Sequence, residues 1–135
     1  MTGVETCALP ISPEICMPAV GQGALGVQAR LKDNEIADAL APLDDHETRQ
    51  SIVAERALLG ALEGGCQVPL GAWARFERGE LAIDAVVCSP DGKQHVRQRA
   101  TAPPDQAREL GQRVAQLLID SGAREILEEV YRQRG

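Results

Sequence analysis

The clearest periodicity in the chain lies between residues 68 and 87, where apolar side chains recur at every second position. Val68, Leu70, Ala72, Ala74 and Phe76 share one parity, and after the turn residues Glu77-Arg78-Gly79-Glu80 so do Leu81, Ile83, Ala85 and Val87. Because successive strand side chains point to opposite faces, this spacing predicts an antiparallel hairpin with one buried face. Ser89-Pro90-Asp91-Gly92 is a second turn signal, with Pro fixing one central dihedral and Gly supplying the permissive one, and it leads into a polar strand over residues 94–100. Three antiparallel strands are expected.

Helical spacing flanks the strands on both sides. Ile36, Ala39 and Leu40 mark a short helix within residues 34–43. Asp44 followed three residues later by Glu47 has the form of a capping box, opening a helix on which Ile52, Val53, Leu59 and Leu62 recur near a 3.6-residue period. Gly64-Gly65 is expected to end it, since glycine reaches the left-handed conformation of a C-cap without strain. After Pro103-Pro104-Asp105, the stripe Leu110, Val114, Leu117, Leu118 predicts another helix, closed by Ser121-Gly122. Ser121 is then expected to cap a last helix carrying Ile126, Leu127, Val130 and Tyr131.

The order from residue 44 onward is helix, three strands, helix, helix. This predicts an α+β unit: a small three-stranded antiparallel sheet with helices on one face. Residues 19–29, AVGQGALGVQA, are small and apolar and read as a tightly packed strand. That strand and the short helix after it lack partners in the chain, so a partial strand-helix segment from a missing α/β domain is expected before the compact unit. The division expected is residues 1–17 as an unstructured leader, 18–43 as the remnant of an α/β region, and 44–135 as the C-terminal domain. Residues 1–12 resemble translated sequencing-adapter text, which makes that stretch, Cys7 included, a candidate for non-native sequence.

Composition narrows the function classes. The chain has 135 residues, 44% hydrophobic and 25% charged, which is ordinary for a globular domain. No apolar run reaches the roughly 20 residues of a membrane span, and no basic stretch followed by an apolar core marks a secretory signal, so a cytoplasmic location is expected. The formal net charge is −6. All of it falls in residues 1–66, where Arg30, Lys32, Arg49 and Arg56 face a larger set of acidic side chains; residues 67–135 balance. There is no basic stripe, and one Trp, one Tyr and one Phe offer no stacking platform, so nucleic acid is not an expected partner. Cys7, Cys16, Cys66 and Cys88 form no C-x-x-C pair and there are two histidines, so no metal site is expected. The default reading of each cysteine is a small hydrophobe.

Two motifs carry candidate chemistry. Gly21-Gln22-Gly23-Ala24-Leu25-Gly26 matches the dinucleotide fingerprint G-x-G-x-x-G in form only. Pro18 interrupts the approach, extended chain follows where a helix is required, and the nearest acidic pair, Asp44 and Asp45, lies at a helix start. Close backbone packing is the plainer reading. The second motif, Leu62-Glu63-Gly64-Gly65-Cys66-Gln67-Val68-Pro69, puts a thiol on a glycine hinge between a helix and a strand, accessible from outside. A helix C-terminus carries partial negative charge, which raises a thiol's pKa, and neither His46 nor His95 sits in a supporting motif. Cys66 therefore does not read as a hydrolase nucleophile. A thiol so placed can still trap an electrophilic carbon as a stable thioether, which needs access more than acidity.

GGCQVPLGAWA, together with PAVGQGALGVQAR, the HETR…AERALL…LEGGCQVP helix and loop, and the ending GAREILEEVY, resembles hydroxymethylbilane synthase (porphobilinogen deaminase) over residues 18 to 134. The resemblance implies a monomeric transferase that joins porphobilinogen units head to tail with loss of ammonia, making hydroxymethylbilane for haem and other tetrapyrroles. It implies a dipyrromethane cofactor bound through a thioether to Cys66, with Gly65 beside it. It also implies that Gln22 and Gly23 approach cofactor or substrate. Read from the residues alone, Gln22 can donate and accept hydrogen bonds and Gly23 removes a side chain that would block approach, but both could equally serve only to pack the strand. The family has three domains. Its catalytic aspartate, and most of the basic side chains that bind the acetate and propionate groups, belong to the two that this chain does not carry, so no catalytic residue is expected here and the piece alone should be inactive. The rival is a non-catalytic interaction or small-molecule binding module that keeps the fold.

Overall fold

The alternation in the middle of the chain is realised as a hairpin. In the computed structural model, which describes residues 11–62 and 69–132, β1 (Leu70–Glu77) and β2 (Glu80–Cys88) pair antiparallel from Leu70 opposite Val87 to Glu77 opposite Glu80. Arg78 and Gly79 both take positive φ (53° and 85°) in the two-residue turn, the backbone twist that matches two right-twisted strands. β3 (His95–Ala102) pairs with the other edge of β2, giving the order β1-β2-β3. The Ser89–Gly92 turn between them is cross-braced: Ser89 Oγ bonds Asp91 at 2.6 Å and accepts from the Gln94 N–H, while Lys93 N–H donates to Asp91.

Leu81, Ile83, Ala85 and Val87 are fully buried on the inner sheet face, against which α2 (His46–Ala61) and α3 (Ala107–Leu118) pack. The two helices meet at Gly111. A Cβ there would stand 2.2 Å from the Ala54 carbonyl oxygen and 2.8 Å from the Leu58 nitrogen, so only glycine permits this approach. The architecture is the α+β arrangement expected, with helices on one sheet face. A π-helical turn over residues 119–123, with Gly122 at φ 102°, kinks the chain into α4 (Arg124–Arg132), which buries Ile126, Leu127 and Val130.

Several local expectations are corrected. Asp45, not Asp44, caps α2: its carboxylate accepts from the Thr48 N–H at 2.8 Å, while Asp44 instead pairs with Arg49 at 2.6 Å. The core face of α2 runs through Ala54, Leu58 and Leu62, one step around from much of the stripe read in the sequence; Val53 and Leu59 lie at its margin. Leu117 and Tyr131 are exposed edges of otherwise buried stripes. Ser121 lies three residues before α4, inside the kink, where its hydroxyl accepts from Gln98 Nε2 at 2.7 Å; it is not the cap. Gly64-Gly65, expected to end α2, lie outside the described residues; the helix itself runs to Ala61, with Leu62 as its C-cap.

The strand expected over residues 19–29 is not formed. Ala19 alone makes a bridge, to Gly71, and the chain then turns at Gly21. Leu25 is 99% exposed and Val27 66%. A strand is stable only with neighbours to take up its backbone groups and cover its apolar face, and beyond Ala19 no described segment pairs with this stretch. The short helix follows as α1 (Asn34–Leu40), capped by Asp33, with a 3₁₀ turn over Ala41–Leu43 and no buried residue. Residues 11–17 carry no helix or strand; a turn closes from Cys16 N–H to Ser12 O, and the carbonyls of Pro13 and Glu14 accept from Arg97 on β3.

Candidate functional site

Cys66 and Gly65 lie outside the described residues, but the nearest described residues on either side, Leu62 and Pro69, are both held. Leu62, 4% exposed, donates its N–H to the Leu58 carbonyl at 3.2 Å. Pro69 accepts from the Cys88 N–H at 3.1 Å, which ties the start of β1 to the end of β2. The cysteine is thus carried between the C-terminus of the longest helix and the first strand of the sheet, both anchored in one core.

The glycine-rich segment forms a turn beside the same helix. Ala19 N–H donates to Gln22 Oε1 at 2.9 Å and Gln22 N–H to the Ala19 carbonyl at 3.0 Å, so the side chain and backbone of Gln22 close one ring. That bond uses the carboxamide oxygen and leaves the amide nitrogen, a double donor, uncommitted among the described residues. Gln22 and Gly23 are both exposed, and a Cβ on Gly23 would meet nothing within 4 Å. Packing within this domain therefore gives no reason for glycine at position 23. Approach by something outside the domain would.

Glu55, which sequence reasoning did not single out, is what attaches this turn to the domain. It projects from α2, is 5% exposed, and its two carboxylate oxygens accept from two backbone donors: Oε2 from the Gly21 N–H at 2.7 Å, Oε1 from the Ala74 N–H at 2.8 Å. Burial pushes its carboxyl above the ordinary value, and the Ala74 and Gly21 N–H groups oppose that shift. The signal that could have found it was a glutamate in register with Leu58, Leu62 and the inner face of a helix, where charged residues are rare unless partnered.

Beside Glu55 a cleft of about 390 Å³ opens between the glycine turn, the first turns of α2 and the middle of β1. Asp45, Glu47, Thr48 and Ser51 line one wall, Trp73, Arg75 and Phe76 another. The Thr48 hydroxyl and N–H hold the Asp45 carboxyl below its ordinary range. On the outer sheet face Arg75 stacks 3.8 Å over Trp73 and is itself held by Glu77 and Asp84, so its charge is already answered. Cys16 is exposed and Cys88 half-buried, and no metal-ligating cluster occurs among the described residues. Among the same residues no helix is long and apolar enough to cross a membrane.

The family model for the porphobilinogen deaminase C-terminal domain matches residues 49–120, which run from α2 through the sheet to the end of α3. The chain belongs to the porphobilinogen deaminase family. A porphobilinogen deaminase from Syntrophobacter fumaroxidans is 47% identical over 122 residues, covering 90% of this chain. The chain spans 40% of that relative's length. Within the family match lie Glu55, the Cys66 loop and the whole sheet, while the glycine turn at Gly21–Gly23 precedes it.

Proposed function

We propose that this chain is the cofactor-anchoring part of a porphobilinogen deaminase (hydroxymethylbilane synthase), a transferase of tetrapyrrole and haem biosynthesis that joins porphobilinogen units head to tail with release of ammonia. In this reading residues 44–135 are the C-terminal domain and residues 18–43 belong to an α/β region completed by other parts of the protein. Cys66 holds a dipyrromethane cofactor by a thioether, with Gly65 giving the backbone room to present it. When bound, that group supplies the pyrrole carbon to which the first substrate unit is joined. The supporting observation is that Cys66 is bracketed by Leu62, buried in the core, and Pro69, half-buried and tied to the end of β2 through Cys88, which suits a tether that must stay in register through repeated additions.

The donor set fits a polycarboxylate. Gln22 offers its amide nitrogen, and Gly23 exposes backbone without a side chain in the way. Neither neutralises charge, so in this reading most of the basic groups that hold acetate and propionate arms, and the catalytic aspartate, belong to the domains that complete the enzyme. Alone, the chain binds neither substrate nor growing product productively and is inactive. A thiol that must stay reduced until it is alkylated suits a reducing compartment, so the reading takes the protein as cytoplasmic, and the family resemblance suggests a monomer.

Cys66→Ser in a full-length chain tests this reading. Loss of the colour that aldehyde reagents give with dipyrroles is expected; normal colour would refute the assignment.

A further inference from the structure

We propose that Glu55 is a positioning residue that sets the Gln22–Gly23 turn at a fixed place on α2 and β1. The proposal deepens the reading above and rests on it. Three segments converge on the one carboxylate: α2, which carries it; the glycine turn, through the Gly21 N–H; and the centre of β1, through the Ala74 N–H. Among the described residues no lysine, arginine or histidine pairs with Glu55, and its partners there are backbone donors. An apolar side chain would fill such a position with less desolvation cost, and what it could not do is grip a backbone N–H with a defined direction.

The geometry of the turn makes that grip consequential. Gly21 has φ +73°, which aims its N–H at α2 and leaves Gln22 and Gly23 facing outward. Ala19, Gln22 and Ala24 are bonded within the turn, so it moves as a unit about its attachment. Its other ties to the domain are the Ala19–Gly71 bridge, the Pro18 carbonyl bond to Ala72 N–H and the packing of Val20 against the core, all ahead of Gly21. Glu55 pins the other end. Along α2 it sits six residues before Ala61, about 9 Å at 1.5 Å per residue, so the helix that precedes Cys66 in sequence also carries the peg for Gln22 and Gly23.

A double-mutant cycle in the full-length enzyme tests the proposal. Glu55→Gln keeps the shape but puts an NH₂ opposite one of two N–H donors. It should retain the dipyrrole on Cys66 while losing about tenfold in kcat/KM for porphobilinogen, the worth of one charge-assisted hydrogen bond. Because Glu55 acts through the turn that carries Gln22, combining it with Gln22→Ala should cost clearly less than the product of the two single losses. Multiplicative losses, or a change in thermal stability with kcat/KM intact, would overturn the positioning role while leaving the Cys66 reading standing. Wild-type Cys66 without a dipyrrole would remove both. Hydrogen exchange on the wild-type protein needs no variant to fold: the Gly21 amide should exchange far more slowly than that of exposed Leu25, and equal rates would overturn the proposal.

Discussion

The carboxylate of Glu55 reaches the backbone N–H of Gly21 across 34 positions of sequence, at 2.7 Å, while its other oxygen holds Ala74 at 2.8 Å. This side chain hydrogen-bonds the glycine-rich turn to the middle of α2, which accounts for a charged group among Ala54, Leu58 and the inner sheet face.

Its titration has a definite sign. The folded-state pKa lies above the ordinary 4.5, so the folded protein binds this proton more tightly than the unfolded chain does. The group's contribution to stability is therefore greatest below pH 4.5 and is lost as pH rises through the folded value. Asp45, Glu47 and Arg75 line the same cleft and titrate or hold charge nearby. Denaturant unfolding of wild type and Glu55→Gln across pH 4 to about 8 should show the wild type losing ground to the variant as pH rises, then levelling. A difference independent of pH would contradict the burial of an ionisable Glu55.

Asp45 behaves with the opposite sign. Its carboxyl is held below 3.8 by Thr48, so its capping contribution is present above that value and is lost as pH falls through the lowered one. Asp45→Asn keeps an acceptor but does not titrate. The stability advantage of wild type over this variant should shrink on acidification below 3.8, as read from thermal melts.

The helix crossing at Gly111 is intolerant of a methyl group. Ala is the better helix former, yet here its Cβ would lie 2.2 Å from the Ala54 carbonyl oxygen, a backbone atom that cannot move aside. Gly111→Ala should lower stability by about 2 kcal/mol or more, overpacking outweighing propensity. An unchanged or raised midpoint in urea would show that α2 and α3 do not approach this closely.

Leu58 tests the core itself. It is fully buried between α2, α3 and the sheet, and Leu58→Ala should cost about 2–5 kcal/mol of unfolding free energy. A loss below about 1 kcal/mol, the scale of a surface substitution, would place this helix face in solvent.

Much of this domain was legible because its elements obey simple periods. Leu81, Ile83, Ala85 and Val87 alternate in sequence and lie buried in the sheet, and Arg78-Gly79 occupy the positive-φ positions a tight hairpin demands. Where local rules competed, the reading slipped. Asp44 and Asp45 are both able caps, and the choice was settled by Arg49, whose guanidinium engages Asp44 and leaves Asp45 to Thr48. Residues 19–29 have strand-like composition, but a strand is a property of its neighbours, and Leu25 and Val27 have none here. The register of Glu55 with Leu58 and Leu62 marks it as an inward-facing charge, but its partners are backbone groups distant in sequence, which no spacing rule encodes. The Cys66 motif was distinctive in sequence, while its setting is known through Leu62 and Pro69 on either side.

The most direct test of the account is the mass of the Cys66-containing peptide released from the full-length protein, purified without added substrate. A peptide heavier by one covalently bound dipyrrole, with the increment absent in Cys66→Ser, is the expected result. An unmodified Cys66 peptide from protein that nonetheless makes hydroxymethylbilane would contradict it.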